Sequence, residues 1–196
     1  METAPSYRDT TRARLRDSLV SAARELTVAN GWDRVRMVDV ARAAGVSRQT
    51  VYNEFGGRDG LAEAVVVREI EWFAAAVRSE LFAHGGDARA AVHAAVLHTL
   101  REAASNTLVR AILTSTGGGA DELLPFLTTR SGAVLGLAGE VVAEWAGAHL
   151  PGSDPAVVAF AGDSLIRLTV SHIMLPSATL EGTAESLADL FVRLIA

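Results

Sequence analysis

Apolar residues recur every three or four positions along nearly the whole chain of 196 residues, and this spacing is typical of amphipathic helices. Between Thr10 and Ala29, for example, Leu15, Leu19 and Leu26 fall on one face and arginines on the other. No alternation of polar and apolar residues is long enough to predict a strand. The pattern therefore predicts an all-α fold with about nine helices. The predicted helices cover residues 10–29, 38–44, 48–55, 58–84, 88–104, 106–116, 121–149, 156–175 and 184–195.

Residues with special backbone preferences separate these predicted helices. The pair Asn30-Gly31 ends the first helix because both residues tolerate a positive φ. Ser47 is a good N-cap for the helix that follows it. Pro155 suits the first position of a helix that Asp154 would cap.

Composition and charge narrow the classes of protein to which the chain can belong. Cysteine is absent, which excludes disulfide scaffolds, cysteine-ligated metals and thiol nucleophiles. The first residues lack the apolar segment of a secretory signal, and no uncharged apolar run approaches ~20 residues. We therefore expect a cytoplasmic protein without a membrane span. Residues 1–58 carry a net charge of +3 and the remainder −8, so a small basic unit precedes a larger acidic one.

The stretch 38–55, VDVARAAGVSRQTVYNEF, has the pattern of a helix-turn-helix. Gly45 allows a sharp turn between two short helices, and Ala41 is small enough for close helix contact. Val51 and Phe55 are apolar where a compact three-helix unit needs a core. The second helix of such a motif enters the major groove of DNA. A surface hairpin of two helices is the alternative, but the basic segment upstream and the polar residues of the second helix favour DNA binding.

The polar residues of the second short helix suit contacts with bases and phosphates. Ser47 leaves backbone N–H groups at the positive end of the helix, facing a phosphate. Gln49 can read adenine bidentately, whereas Arg48 can read guanine or hold a phosphate. The remaining predicted contacts are Thr50 with a thymine methyl or a phosphate, Tyr52 with a phosphate, and Asn53 with either a base or a phosphate.

The run from Val38 to Leu61, VDVARAAGVSRQTVYNEFGGRDGL, resembles the signature of TetR-family transcriptional regulators. The matching positions are Val40, Ala41, Ala44, Gly45, Val46, Ser47, Tyr52, Phe55, Arg58 and Leu61. The resemblance implies a helix-turn-helix DNA-binding domain over residues 1–57 and a helical ligand-binding and dimerisation domain over 58–196. It implies no enzymatic activity, no cofactor and no metal.

Two positions depart from the family's pattern. Arg36 stands where the family often has a threonine that caps the second helix, and we predict that it faces a phosphate instead. Arg58 replaces the usual lysine, and the resemblance implies that its phosphate contact is kept.

The resemblance also implies a homodimer, in which the last two helices build a four-helix bundle with those of the partner. Both helices offer apolar residues for this purpose, and a helix that is apolar around most of its girth must be buried on several sides. The predicted interface residues are Ile166, Val170, Ile173, Leu187, Leu190, Phe191 and Leu194. A monomer core built from the same residues is the alternative.

A small-molecule pocket between the fourth and eighth helices is a further implication of the resemblance. The predicted pocket residues are Trp72, Phe73, Leu97, His98, Leu108, Arg110, Ile112, Phe126, Arg130, Trp145 and His172. The lining is chiefly aliphatic, so we expect a small apolar effector, such as a fatty-acyl chain. Its binding would change the tilt of helix 58–84 and release a repressor from operator DNA. Activation instead of repression stays open at this stage.

Two other functions have weaker support in the sequence. Residues 162–165, GDSL, spell a hydrolase-like tetrapeptide with Ser164 as nucleophile, but such nucleophiles follow a strand, whereas this one lies within a helical pattern. A helical interaction module without a DNA role is the second alternative. The histidines 93 and 98 are five residues apart, which is a poor spacing for two metal ligands on one helical face.

Overall fold

The computed structural model describes residues 7–106, 108 and 124–196, with the backbone alone for residues 8 and 124–134. These residues form eight α-helices and one 3-10 turn, with no strand among them, which confirms the predicted all-α fold. The elements are α1 (Tyr7–Asn30), η1 (Trp32–Arg34), α2 (Met37–Ala43), α3 (Arg48–Phe55), α4 (Arg58–Ala83), α5 (Ala88–Ser105), α6 (Leu124–His149), α7 (Pro155–Met174) and α8 (Leu180–Ile195). The helix predicted over 106–116 lies outside the described residues, apart from Asn106 and Leu108.

Side-chain caps determine where the last two helices begin. The Asp154 carboxylate accepts a hydrogen bond from the Ala156 N–H at 2.8 Å, so α7 starts at Pro155 as the sequence predicts. Thr179 Oγ1 accepts from the Gly182 N–H at 3.1 Å. This cap starts α8 at residue 180, a turn earlier than predicted, because the first turn has few apolar residues to mark it.

The described chain divides into two compact units at Arg68, within α4. The N-terminal unit comprises residues 7–68, with which 124–126 cluster, whereas the sequence analysis expects the boundary at residue 58. Helices α1 to α3, η1 and the start of α4 share an apolar core in this unit. Its buried residues include Leu19, Ala23, Trp32, Val40, Val51, Phe55 and Leu61.

The second unit comprises residues 69–106, 108 and 127–196. Its most extensive helix pair is α5 with α8, and α7 also packs on α8. Trp145 and Phe191 are fully buried in the core, with their ring centroids 6.3 Å apart. The Trp145 indole N–H donates to the Gly85 carbonyl at 3.1 Å, which gives this buried polar group its partner.

Exposed ion pairs join helices at the surface of this unit. They are Arg78 with Glu144, Arg89 with Asp189, and Arg101 with Glu181. The hydrogen bond from Arg78 lowers the pKa of the Glu144 carboxyl, and the Glu181 carboxyl has a lowered pKa through hydrogen bonds from its own backbone N–H and from Arg101. Both carboxylates are therefore charged at neutral pH.

Helix α7 is apolar around most of its girth. Val158 and Leu165 are buried, but Phe160 is 65% exposed, and Leu175 just after the helix is 76% exposed. By length and hydropathy alone, α7 is the one helix among the described residues that could cross a membrane, a property that core helices of soluble proteins share.

Candidate nucleic-acid interface and ligand cavity

A short turn sets α3 against α2 in the N-terminal unit. Gly45 has φ of +69°, a left-handed conformation that glycine adopts without strain. Ser47 is the N-cap of α3, and its Oγ accepts a hydrogen bond from the Thr50 N–H at 3.1 Å. Val51 and Phe55 then turn one face of α3 into the core, as the sequence predicts.

The opposite face of α3 is polar and points outward. Ser47, Arg48, Gln49 and Asn53 are exposed, while Thr50 and Tyr52 are half-buried. The predicted α3 residues therefore lie on a surface that can approach a partner from solution. A helix about 10–12 Å wide fits the major groove of B-DNA, which is ~12 Å wide.

Two side-chain pairs one turn apart order this face. Arg48 Nη2 donates to the Tyr52 hydroxyl at 3.1 Å, and the guanidinium carbon lies 5.2 Å from the Tyr52 ring centroid. Gln49 Nε2 donates to Asn53 Oδ1 at 2.9 Å. Such pairs hold long side chains in one rotamer, so less conformational entropy is lost when they contact a ligand.

The structure distinguishes the two arginines that depart from the family's pattern. Arg36 is the N-cap residue of α2, is exposed and makes no side-chain capping bond, since a guanidinium has no acceptor for the helix N–H groups. Arg58 instead donates to the Trp32 carbonyl at 2.6 Å and stacks 5.1 Å from the Trp32 ring centroid. Because this internal partner holds the Arg58 side chain, we leave it out of the candidate DNA-contacting surface.

Two arginines of α1 that the sequence analysis does not single out hold the end of α3. Arg12 Nε bonds both Glu54 carboxylate oxygens at 3.0 and 3.1 Å. Arg16 Nη1 donates to the Glu54 backbone carbonyl at 3.1 Å and stacks 4.6 Å from the Phe55 ring centroid. The Arg16 contact satisfies one of the carbonyls that a helix end leaves without an intrahelical partner. These pairs link residues about forty positions apart, which is why local sequence patterns do not reveal them.

An apolar cavity of about 100 Å³ lies within the second unit, among α4, α5, α6 and α7. It is lined by Ile70, Phe73, Ala74, Val77, Leu81, Val92, Ala95, Val96, Thr99, Leu135, Leu137, Ala138, Val141, Val142, Leu165, Ile166, Thr169 and Val170. The hydroxyls of Thr99 and Thr169 donate to the carbonyls of Ala95 and Leu165, each at 2.8 Å. Among the described lining residues, no side chain is charged.

Only part of the predicted pocket coincides with this cavity. Phe73 lines it, and His98 stacks on Phe73 with centroids 6.3 Å apart. The other described side chains lie elsewhere: Leu97 packs beside the core, Leu108 and Trp145 are buried, Trp72 is exposed, and His172 lines a separate pocket with Ile173. Arg110 and Ile112 lie outside the described residues, as do the side chains of Phe126 and Arg130. Helical periodicity in the sequence does not identify the aliphatic lining residues of the cavity, because their spacing is the same as that of core residues.

The predicted dimer residues are largely used within the chain itself. Ile166 and Val170 line the cavity, and Leu190 and Leu194 are half-buried against the core. Ile173, Leu187 and Phe191 are buried, at 7%, 4% and 0% exposure. Their own chain already covers the apolar surface of these three side chains, and a dimer contact by them stays a prediction. The exposed large apolar residues of α7, with Leu175 just after it, are Val157, Phe160, Leu168, Met174 and Leu175.

The structure also shows where the hydrolase-like tetrapeptide lies and how the histidine and acidic side chains are distributed. Ser164 lies in the middle of α7 and not at a strand-to-helix turn, so the nucleophile geometry of the hydrolase alternative is missing. Within the described ranges, no three histidine or acidic side chains are grouped closely enough to hold a metal ion.

Comparison with known proteins defines the class of this chain. The family model described as the bacterial tetracyclin repressor C-terminal domain matches residues 87–193, more than half of the chain. The model described as bacterial regulatory proteins of the tetR family matches residues 19–65, which include the helix-turn-helix. The chain is therefore a helix-turn-helix transcriptional regulator and belongs to the TetR family.

Individual members of the family are similar to this chain over most of its length. The HTH-type transcriptional regulator AlkX of Mycobacterium tuberculosis is 33% identical over 189 residues, covering 94% of this chain and 86% of the relative. The crystal structure of the TetR family repressor AlkX from Dietzia sp. strain DQ12-45-1b, described as implicated in biodegradation of n-alkanes, superposes with a TM-score of 0.69 at 29% identity. That match covers 91% of this chain and 94% of the Dietzia chain. A putative TetR-family regulator from Mesorhizobium loti has the same fold, with a TM-score of 0.65, 18% identity, and coverage of 93% and 97%.

Proposed function

We propose that this regulator is a cytoplasmic repressor that binds operator DNA as a homodimer and leaves it when a small apolar molecule enters the cavity. The observation that carries the proposal is the composition of that cavity, whose described lining is apolar apart from two threonines. Both threonine hydroxyls donate to their own helix backbone. Helix α4 follows the DNA-binding helix directly and supplies five of the lining residues.

The DNA-contacting surface is proposed to be the outward face of α3 with the start of α2. Gln49 and Asn53 read base edges, because a carboxamide can pair bidentately with adenine. Arg48 reads guanine or holds a phosphate, and Tyr52 donates to a phosphate. The further contacts to phosphates come from Arg36, Thr50 and the N-terminal end of α3 at Ser47.

The proposed dimer contact is the exposed apolar stripe of α7, with a second copy of the chain as its occupant. Val157, Phe160 and Leu168 are separated by three and eight residues, so they lie within about 80° of one another on the helix, and Leu175 follows directly after it. Exposed apolar stripes of this kind in soluble proteins mark interfaces. A dimer of this kind gives two copies of α3 for two half-sites, one helical turn of DNA (~34 Å) or a multiple of it apart.

The effector is proposed to be an apolar chain molecule. The Dietzia relative is implicated in n-alkane biodegradation, and the described cavity lining suits a hydrocarbon better than a charged group. A fatty-acyl ligand would need a partner for its polar end, and the two threonine hydroxyls have already donated their protons. The hydrocarbon portion of either ligand fits the same lining.

Release follows from the small size of the cavity. A cavity of ~150 Å³ is large enough for benzene, and this one has about 100 Å³. A longer chain must therefore push apart the helices that line it, including α4. Since α4 is continuous with the N-terminal unit, its movement would change the spacing of the two recognition helices. A coupling of ~1–3 kcal/mol weakens DNA binding about 5–150-fold.

The test is a titration of 1-decanol, n-decane and decanoate into the protein bound to a fluorescent duplex that the protein itself has selected from random sequence. Release by decanol or decane is the expected result. Tight DNA binding that none of the three relieves would overturn the proposed effector class. Release by decanoate alone would replace it with a carboxylate ligand.

A further inference from the structure

A second concave feature runs along the hairpin formed by α6 and α7. It has a volume of about 520 Å³, and many of its lining residues are small, among them Gly139, Ala143, Gly147, Ala159 and Gly162. The groove extends from the connection near Pro155 to Ile166, which is ~16 Å at 1.5 Å per helical residue.

The groove and the apolar cavity share a wall. Leu135, Val142 and Ile166 line both of them. Val142 is buried and packs closely on α7, since a Cβ built at Gly162 would lie only 3.0 Å from Val142 Cγ1. Leu135 and Ile166 are half-buried, and both line the cavity as well as the groove.

Volume supports a single site made of two parts. Ligand pockets have ~300–1,000 Å³, and the cavity alone falls well below this range. The groove, at about 520 Å³, falls within it, so a ligand that reaches the cavity has room for its remaining length only in the groove. The close approach of α6 and α7 at Gly162 keeps the groove narrow, which favours an unbranched chain over a bulky ring system.

We propose that the groove is the outer half of the effector site, through which a long unbranched chain passes between Leu135 and Ile166 into the cavity. This extension rests on the function proposed above. The chain's far end stays at the mouth of the groove near Pro155, where Ser153 is the polar lining residue. Ser153 offers a hydroxyl and no cation, so an uncharged end such as a hydroxyl suits this mouth better than a carboxylate. Asp163, the other polar lining residue, lies nearer Ile166, where its carboxylate accepts from Arg167 Nε at 2.7 Å.

The α7 stripe proposed for dimerisation leaves the groove open. At 3.6 residues per turn, Val158, Gly162 and Ile166 lie on nearly the opposite side of α7 from Phe160 and Leu168. A second copy seated on that stripe therefore leaves these three residues uncovered, whereas Asp163 lies at the edge of the groove nearest the stripe.

The experiment measures the binding of 1-alkanols from butanol to dodecanol to the full-length protein by calorimetry, without DNA. The variant is Gly147→Phe, because a Cβ at Gly147 meets no atom within 4 Å, so the ring enters the groove without displacing the backbone. Ala148→Phe is the matched control, because Ala148 is exposed, adjacent in sequence and not part of the groove.

In the wild type and in Ala148→Phe, affinity should rise about fourfold per added methylene over most of the series. In Gly147→Phe the rise should stop at a shorter chain, with affinity for dodecanol at least tenfold lower than in the wild type. Equal profiles for the wild type and Gly147→Phe would overturn the role of the groove while leaving the cavity intact. Loss of the dimer in Gly147→Phe, seen by light scattering, would assign the groove to a protein contact and also overturn it. If no alkanol binds the wild type, the proposed effector class fails as well.

Discussion

Filling the cavity should stabilise the protein and abolish its response to an effector. Ala95 lines the cavity on α5 and is 6% exposed, so the substitution Ala95→Leu directs new carbon atoms into that space. The expected product is a regulator that binds DNA normally and no longer leaves it.

The magnitude follows from the cavity volume. At ~24 cal/mol per Å³, a cavity of about 100 Å³ costs about 2.4 kcal/mol. Filling the cavity removes this cost, but fixing the new leucine side chain in one rotamer costs ~0.5–1 kcal/mol of conformational entropy. The free energy of unfolding should therefore rise by about 1.5–2 kcal/mol. For a chain of this length, that corresponds to a Tm increase of roughly 3–8 °C.

Ala91→Leu is the matched control for this prediction. Ala91 lies one turn earlier on α5, is fully buried and does not line the cavity. Overpacking at such a position costs ~1–3 kcal/mol, so its Tm should fall. Thermal unfolding of both variants and decanol titration of their DNA complexes measure the two effects. An equal loss of Tm in both variants would refute the presence of a cavity beside Ala95. If Ala95→Leu is stabilised but its DNA complex still responds to decanol, the cavity is not the effector site.

Three further predictions concern DNA binding and assembly. Gln49→Ala should cost ~1–3 kcal/mol chiefly at one base position, whereas Tyr52→Phe should weaken binding to all sequences about equally, as measured by anisotropy with a panel of operator variants. In Gly60→Ala, the new Cβ would lie 2.0 Å from the Phe55 carbonyl oxygen, so the end of α3 would have to move. DNA binding should therefore be lost, while light scattering should still show a dimer. Phe160→Asp should give a monomer by light scattering, and its operator affinity should fall; a dimer that persists at micromolar concentration would reject the α7 stripe as the interface.

The helix-turn-helix could be predicted from the sequence because its signals are local. Gly45 marks the turn, Ser47 marks the cap, and Val51 and Phe55 mark the buried face, all within a dozen residues. The outward face of α3 then follows from helical periodicity alone. Arg58 shows the limit of this reasoning, since its contact with Trp32 connects positions that lie 26 residues apart.

The cavity lining could be predicted only in outline. Helix α7 is apolar on several sides, so periodicity does not separate the residues that face the cavity, the core and the surface. Ile166 lines the cavity and Phe160 is exposed, although both are large apolar residues of one helix. Trp145 was a reasonable pocket candidate by size, but packing with Phe191 places it in the core.

The central claim is that α3 reads duplex DNA as one half of a symmetric pair. Selection of bound duplexes from a random-sequence pool tests it most directly, with wild-type protein and the Asn53→Ala variant compared at low ionic strength. The wild type should enrich a palindrome with half-sites one or more helical turns apart, and Asn53→Ala should lose preference at matching positions in both halves. Binding should weaken steeply with added salt. Absence of any enriched sequence, or an enriched site without two-fold symmetry that Asn53→Ala leaves unchanged, would contradict it.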